Sequence, residues 1–461
     1  MSNNLIPKCN YLKRTTSMLA IIPLCIGLTS FSAFSGTPPT YPINTFVALC
    51  DEINVPSNSG FQRFGNILKD NEGWLVSEKL DLQIDHNVLS LQEKNNLNRF
   101  ANLLKKHKID LIMVPTPPRG LIFNNKMATL ATDFDVNTLD TQFNHLLADI
   151  KPLGKIINTF NLAAKPPNNL FYKSSFDWTP SGAKWYSEKI ANVILQTNSN
   201  NLATFSTTPT GQLSASGAIR SYVESICQLA LEPEYSASFV TTKNSNQNNS
   251  ALTIALLGDR LAQQERFQFA ELLAASTASR VLNYAQSEGS HQWGWLQLIN
   301  DIVNKNVDVN TIVWQFQANQ GFASNALFRQ LIPALNGGCS IDTATIDTSF
   351  AINMNASSTE ILMTNSAPRF SSSSMMAELT FVNAQVKSVE LKLWFDNGSD
   401  RRVSLSQAFQ SVGDTLFYID SSSINVPKGA SLLALEINKV ELTTNSSRDS
   451  INAGLRLCSG Q

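Results

Sequence analysis

The sequence predicts an α/β domain with a mostly parallel sheet, followed by a C-terminal β-sandwich. Three observations carry that reading. From Gly73 onward short apolar runs alternate with stretches of helical spacing. The runs end in turns that contain Pro or Gly. Beyond Gly337-Gly338 the helical spacing gives way to short stretches of strict apolar–polar alternation in a background rich in Ser, Thr and Asn. Repeated strand–loop–helix units bury a parallel sheet between helices, whereas strands of period two bury one face only.

The first 35 residues read as an export signal. Lys8, Lys13 and Arg14 precede the apolar run Met18 to Leu28, and Ala33, Ser35 and Gly36 supply the small residues of a cleavage site placed near Ser35. That run of ~11 residues falls short of the roughly 20 that a spanning helix needs. The mature chain is therefore expected to be soluble outside the cytoplasm, an uncleaved anchor being the alternative.

Residues 36–338 hold the α/β pattern. Leu97, Phe100, Leu103 and Leu104 mark one face of a helix over Leu97 to Lys108, and Ile109 to Val114 reads as a short buried strand. Pro115, Pro117 and Pro118 stop that strand and begin a loop that carries Arg119 and Gly120, the position where α/β folds place ligands. The stretch from Thr197 to Ser216 reads as a mobile loop. Leu252 to Leu257 is a second strand, ending in Gly258-Asp259, and Leu261 to Ala275 reads as the helix behind it; a strand, a Gly turn and a helix is where many hydrolases carry a nucleophile. Ile302 and Val303 close a further helix before the strand Thr311 to Phe316.

Residues 339–461 carry the sandwich. Val389, Leu391, Leu393 and Phe395 fall on one face of a strand and Glu390, Lys392 and Trp394 on the other. Leu416 to Ile419 and Leu432 to Leu442 repeat that character.

Composition limits what the chain does. Its 461 residues predict two or three domains, at roughly 150 residues each. With 35 Lys and Arg against 36 Asp and Glu, the near-zero net charge argues against bulk neutralisation of nucleic-acid phosphates and leaves room only for a local basic patch. No phosphate-binding loop and no nucleic-acid module is present. No two cysteines of the mature chain are close enough in sequence for a zinc site, so no metal and no cofactor is expected. Beyond the signal stand Cys50, Cys227, Cys339 and Cys458. Three pairings are open to them; Cys50–Cys227 with Cys339–Cys458 is favoured because each bridge then closes one domain at its two ends, worth about 4–5 kcal/mol for loops this long in the chain-entropy account.

Several segments, in their order along the chain, resemble one family. Met113-Val-Pro-Thr-Pro-Pro-Arg-Gly-Leu-Ile122, the Gly73-Trp74-Leu75 turn, Asp177-Trp-Thr-Pro-Ser-Gly-Ala183, Leu256-Leu-Gly-Asp259 and Thr311-Ile-Val-Trp-Gln-Phe316 are similar to motifs of the periplasmic alginate O-acetyltransferases, and the layout of four cysteines is similar too. The resemblance implies an SGNH-hydrolase-like domain followed by a carbohydrate-binding domain, a periplasmic location, and acetylation of an exopolysaccharide during export. It also implies where a catalytic triad would stand. The family's Asp-x-His-Trp-Thr-Pro motif falls on Ser175-Phe176-Asp177-Trp178-Thr179-Pro180, so Ser175 occupies the aspartate's place and Asp177 the histidine's; Arg260 occupies the place of the nucleophilic serine.

Each replacement removes a chemical capability. A serine nucleophile needs a neutral imidazole to take its proton, and a carboxylate to orient that imidazole. Arginine holds its proton to a pKa above about 12 and offers no nucleophile. An aspartate, with an ordinary pKa near ~3.9, is a poor base for a hydroxyl at neutral pH. Asp177 and Arg260, placed where histidine and serine would be hydrogen-bonded neighbours, are expected to form a salt bridge that plugs the pocket.

The remaining candidates bind or substitute. His291 with Ser287 or Ser290 is a replacement dyad or an ordinary surface loop. Arg119 reads as a partner for a uronate carboxylate or as an exposed loop arginine. Trp178 reads as a sugar-stacking ring or as packing behind the old site. Lys392, Trp394, Arg401 and Arg402 read as a sugar-binding surface, although acidic residues outnumber basic ones beyond Cys339, so no broad positive field draws a polyanion. The favoured function is an exported, non-catalytic protein of exopolysaccharide biosynthesis that binds an anionic or neutral polymer or other proteins of a modification and export complex. The alternatives are an active O-acetyltransferase or esterase using other residues, and a structural protein that binds no glycan.

Overall fold

The computed structural model describes residues 67–70, 72–84, 89–131, 133–158, 169–195, 205–214, 217–228, 230–243, 252–286, 292–319, 325–339, 344–363, 375–406, 409–410, 414–424, 426, 429–443 and 449–459. The export signal and Cys50 lie outside them. A short antiparallel pair, β1 (Ile67–Lys69) and β2 (Leu75–Ser77), opens the α/β part. Then come β3 (Asp110–Thr116), β4 (Lys155–Ile156), the antiparallel ribbon of β5 (Phe205–Ser214) and β6 (Tyr235–Lys243), β7 (Thr253–Leu257), β8 (Arg280–Asn283) and β9 (Thr311–Gln317). Five of these form a wholly parallel sheet in the order β4-β3-β9-β7-β8.

Strand alternation sorts this sheet's side chains into two cores, as a parallel sheet covered on both faces requires. Leu111, Met113, Leu257, Ile312, Trp314 and Phe316 pack against the helices Leu91–Lys106, Val136–Ile150, Gln292–Val303 and Asn325–Leu335. Ile112, Val114, Ile254, Leu256 and Val313 pack against the helices Pro180–Leu195 and Phe269–Thr277. The helix beginning at Leu91 owes its start to a reciprocal cap, in which the Ser90 hydroxyl accepts the Glu93 N–H and the Glu93 carboxylate accepts the Ser90 N–H.

Two expectations change. The stretch read as a mobile loop contains β5, paired with β6 from Phe205↔Lys243 to Ser214↔Tyr235, where rows of Thr and Ser face one another and Thr207 and Thr241 share a hydroxyl hydrogen bond of 3.0 Å. The single helix expected over Leu261 to Ala275 is broken into Arg260–Gln263, a 3₁₀ turn Glu265–Phe267 and Phe269–Thr277, with Gln268 left-handed at φ 52°. The break lets Leu261, Phe267, Phe269 and Leu272 enter one core together, which a continuous helix would spread around its axis.

After the helix ending at Leu335 every described strand pairs antiparallel. One sheet runs β10 (Ile346–Asn353), β18 (Ser450–Ser459), β12 (Met375–Phe381), β16 (Thr415–Asp420), β15 (Phe409–Gln410); the other runs β11 (Thr359–Met363), β17 (Leu432–Leu442), β13 (Val386–Phe395), β14 (Asp400–Ser406). Val389, Leu391, Leu393 and Phe395 are buried between the sheets with Leu379, Phe381, Phe417 and Leu455. A disulfide joins Cys339, at the entry to this region, to Cys458 in its last strand. Cys227 is also disulfide-bonded. The sandwich docks on the α/β part through Tyr418 of β16, which belongs to the same apolar cluster as the helices Leu91–Lys106 and Asn325–Leu335. Among the described residues, no helix is long and apolar enough to cross a membrane.

Candidate functional site

The carboxyl ends of β3, β7 and β9 meet a loop, residues 170–179, that the sequence folds back on itself. Phe171 and Trp178 form a bridge, the Tyr172 N–H donates to the Asp177 carbonyl at 3.1 Å, and the Thr179 N–H donates to the Leu170 carbonyl at 3.0 Å. Thr179 then opens the helix Pro180–Leu195, its hydroxyl accepting the Gly182 N–H at 3.0 Å. From outside, the Glu234 carboxylate accepts the N–H groups of Lys173 and Ser174 and the Ser174 hydroxyl, at 2.7, 3.0 and 2.8 Å. The loop is thus held by both its donors and its acceptors, and Ser175 and Asp177 are fixed in place.

Asp177 is completely buried and accepts from three side chains. Arg260, the second residue after Gly258 at the end of β7, reaches Oδ1 through Nη2; Arg266 reaches Oδ2 through Nη2 at 3.2 Å; and the Ser175 hydroxyl donates to Oδ2 at 3.0 Å. The expected Asp177–Arg260 salt bridge is present, and Arg266 joins it. The Arg260 guanidinium lies 4.3 Å over the Phe176 ring and that of Arg266 lies 4.5 Å over Phe267. Gly217 closes the other side, since a Cβ there would stand 2.1 Å from the Ser175 hydroxyl and 2.9 Å from Asp177 Oδ2.

Burial sets the electrostatics. It pushes the Asp177 carboxyl upward, against the pull of Arg260, Arg266 and the Ser175 hydroxyl, and lowers the Arg266 guanidinium, against the pull of Asp177. Asp259 is likewise raised by burial, its Oδ1 accepting the Leu261 N–H at 2.8 Å and its own N–H donating to Gln315 Oε1 at 3.3 Å. The Tyr172 hydroxyl, buried beside the cluster, is pushed up to about 12. Chemically this is an ion cluster. The buried Asp177 carboxylate is consumed by two guanidiniums, neither of which offers a nucleophile.

Other predicted residues take different places. Arg119 is 1% exposed and heads a short helix, with all three side-chain nitrogens committed. Nε and Nη2 donate to the Asp81 carboxylate at 2.7 and 2.6 Å, Nη1 to the carbonyls of Tyr172 and Lys173, both at 2.9 Å, and Nη2 also to that of Leu75. It buttresses the loop, and nothing of it remains for a uronate. Trp178 is fully buried between Tyr186 and Phe269, with ring centroids 5.1 and 4.7 Å away, so it packs and presents no face to a sugar. Ser287, Ser290 and His291 lie outside the described residues.

On the sandwich, Lys392 Nζ stands 3.5 Å above the Trp394 ring and 3.7 Å from Asp400. Arg402 pairs with Lys392 across β13 and β14 and shares that outer face, 3.8 Å from Glu390. Arg401 pairs with the buried Leu393, so it belongs to the opposite face and leaves the group. What remains is a face of mixed charge.

Sequence reasoning missed Asp81, Glu234 and Arg266. Asp81 carried a signal, four residues after a Ser at a helix start; Arg266 carried none, because it reaches Asp177 from a 3₁₀ turn, Glu265–Phe267, that interrupts the helix expected there.

Comparison with known proteins bears on the fold. The family described as SGNH hydrolase-like domain, acetyltransferase AlgX matches residues 67–318. A curated relative, the alginate biosynthesis protein AlgX of Pseudomonas aeruginosa, is 22% identical over 402 residues, covering 84% of each chain. Its counterpart from Pseudomonas fluorescens is 19% identical over 449 residues, covering 92% of each. The solved structure of Pseudomonas aeruginosa AlgX superposes with a TM-score of 0.74 at 20% identity, covering 88% of this chain and 97% of that one.

Proposed function

Because the chain belongs to the family of the SGNH hydrolase-like domain, acetyltransferase AlgX, we propose that it serves the biosynthesis of an alginate-type exopolysaccharide as a member that has lost acetyl transfer and binds the polymer or the proteins that modify and export it. The relatives' names supply the pathway. One observation supports the loss of chemistry: Asp177 is sealed between Arg260 and Arg266, with no nucleophile at the family's serine position. In this reading residues 1–35 direct the chain to the periplasm, residues 36–338 form the SGNH-like domain, and residues 339–461 form a carbohydrate-binding sandwich whose contact surface centres on Lys392, Trp394 and Arg402.

Acetyl transfer and acetyl-ester hydrolysis by the mature chain, measured beside the triple variant Ser175→Asp, Asp177→His, Arg260→Ser, test it. The expected result is a silent wild type and an active variant. Turnover by the wild type sinks the reading and directs the search to Ser287, Ser290 and His291.

A further inference from the structure

Resting on that polymer-binding reading, we propose that the sandwich holds a second sugar subsite, for one uncharged pyranose ring, under the crossing from β10 to β11 and away from Lys392, Trp394 and Arg402. β10 ends at Asn353 in one sheet, the chain crosses over, and β11 begins at Thr359 in the other. β11 pairs with β17 only as far as Thr359↔Ile437, so among the described residues Asn438 and those after it have no strand partner on that side. The crossing and the uncovered stretch of β17 enclose a cleft of about 250 Å³.

The first argument is the placement of Asn438. On its other side β17 pairs with β13, and there the register steps from Glu390↔Lys439 to Leu391↔Ile437. Asn438 is therefore the extra residue of a bulge, opposite no residue of either neighbouring strand. Bulges re-aim one side chain and are concentrated beside functional sites. Asn438 lines the cleft, and its Oδ1 is buried without a hydrogen-bond partner. A buried acceptor left unpaired costs the fold stability and calls for a donor from outside it. Asn353, which also lines the cleft, shows the contrast, because its Oδ1 accepts the Asn355 N–H at 2.9 Å.

The second argument is the chemistry of the lining. Ile352 and Ile437 are buried in the sandwich core and Met354 and Val440 pack against it, so the cleft has an apolar wall, while Ser357 and Thr359 add hydroxyls. Among the described lining residues the one charge, Lys439, is already matched, its Nζ standing 2.5 Å from Glu441 Oε1. A carboxylate finds no free counter-charge here. A pyranose ring offers what the lining asks for, an apolar C–H face and a fringe of hydroxyls. One hydroxyl donates to Asn438 Oδ1 while the oxygen of its neighbour accepts from Nδ2, a pairing that a carboxamide makes and an apolar side chain does not. The volume lies just below the range of about 300–1,000 Å³ usual for small-molecule pockets, which limits the occupant to one ring.

The test is calorimetric titration of the mature chain with neutral tetrasaccharides of glucose, of mannose and of galactose, and with a uronate tetrasaccharide. It is run on the wild type, Asn438→Leu, Asn438→Ala, and the double variant Lys392→Ala, Trp394→Ala. The wild type is expected to bind at least one neutral sugar. Asn438→Leu should weaken that binding by about tenfold, the worth of two neutral hydrogen bonds. It should also unfold no earlier than the wild type on heating, because it removes an acceptor that the fold leaves unpaired. Asn438→Ala should lose the same affinity, which guards against a steric effect of leucine. The double variant should keep it, since Asn438 stands roughly 13 Å along β17 from Ala434, the partner of Trp394. Neutral binding that both Asn438 variants leave unchanged overturns the subsite. A wild type that binds only the uronate overturns the subsite while the polymer-binding reading stands. Absence of wild-type binding to any of the sugars overturns both.

Discussion

Arg119 Nη2 sits 2.6 Å from Asp81 Oδ2, with 1% and 0% of the two side chains exposed. The same guanidinium holds the carbonyls of Tyr172 and Lys173, so the loop that presents Ser175 and Asp177 hangs on a buried ion pair. Removing one partner of such a pair leaves an uncompensated charge in a medium that solvates it poorly. Asp81→Asn is therefore expected to cost about 3–5 kcal/mol in urea unfolding, whereas Arg119→Met together with Asp81→Leu should cost markedly less. Equal losses in the two chains would mean that the carbonyl contacts, and not the charge pair, carry the stability.

A second pair ties the two folds together. Arg99 Nη1, on the helix Leu91–Lys106, donates to Asp420 Oδ2 at 2.5 Å and to the Ser422 hydroxyl, across the seam where Tyr418 enters the α/β core. The wild type is expected to unfold in one calorimetric transition. A third of the Arg99 side chain is exposed, so solvent screens the pair and Arg99→Ala should cost only about 1–2 kcal/mol while keeping that single transition. Two resolved transitions in the wild type would show that the shared apolar cluster does not couple the parts.

Glu378 gives a pH signature. Burial pushes its carboxyl above the ordinary value of 4.5, and the Cys339 N–H and the Arg456 guanidinium draw it back only in part. A carboxyl raised on folding binds its proton more tightly in the native state. Its contribution to stability is therefore complete below 4.5 and is lost as pH rises through the folded value. A carboxamide does not titrate, so the stability of Glu378→Gln relative to wild type should improve between about pH 4 and about pH 7. A difference that is flat or falls with pH would contradict the raised carboxyl.

The parallel sheet and the sandwich were legible because each imposes a period: continuous apolar runs at Leu111–Val114 and Ile312–Trp314, strict alternation from Val389 to Phe395. The ribbon of β5 and β6 was not, since its Thr and Ser rows carry no apolar contrast and declare themselves only when paired. At the site, motif positions located Ser175, Asp177 and Arg260, and opposite charges at neighbouring places predicted their bond. From the sequence Arg119 reads as a ligand partner or an exposed loop residue, and Trp178 stays between stacking on a sugar and packing, for one physical reason. Residue type tells what a side chain binds, and not whether the protein has already bound it.

Arg266 makes the last prediction. Its Nη2 lies 3.2 Å from Asp177 Oδ2 and its side chain is oriented by Gln264 and Phe267, neither of which the restored triad alters. In the triple variant the new histidine therefore faces a fixed guanidinium. The positive charge keeps the imidazole neutral, as a base must be, but opposes the imidazolium that forms when the serine loses its proton. At about 4 Å and an intermediate dielectric that repulsion is on the order of 4 kcal/mol before screening. Adding Arg266→Gln to the triple variant is thus expected to raise kcat by about tenfold or more, a shift of about 1.4 kcal/mol in the barrier. It should also move the acid limb of the kcat/KM profile to higher pH, because the imidazole regains its ordinary basicity. A faster enzyme with an unmoved acid limb would assign the gain to access for the acetyl donor. An unchanged rate would show that Arg266 turns away once Asp177 is gone.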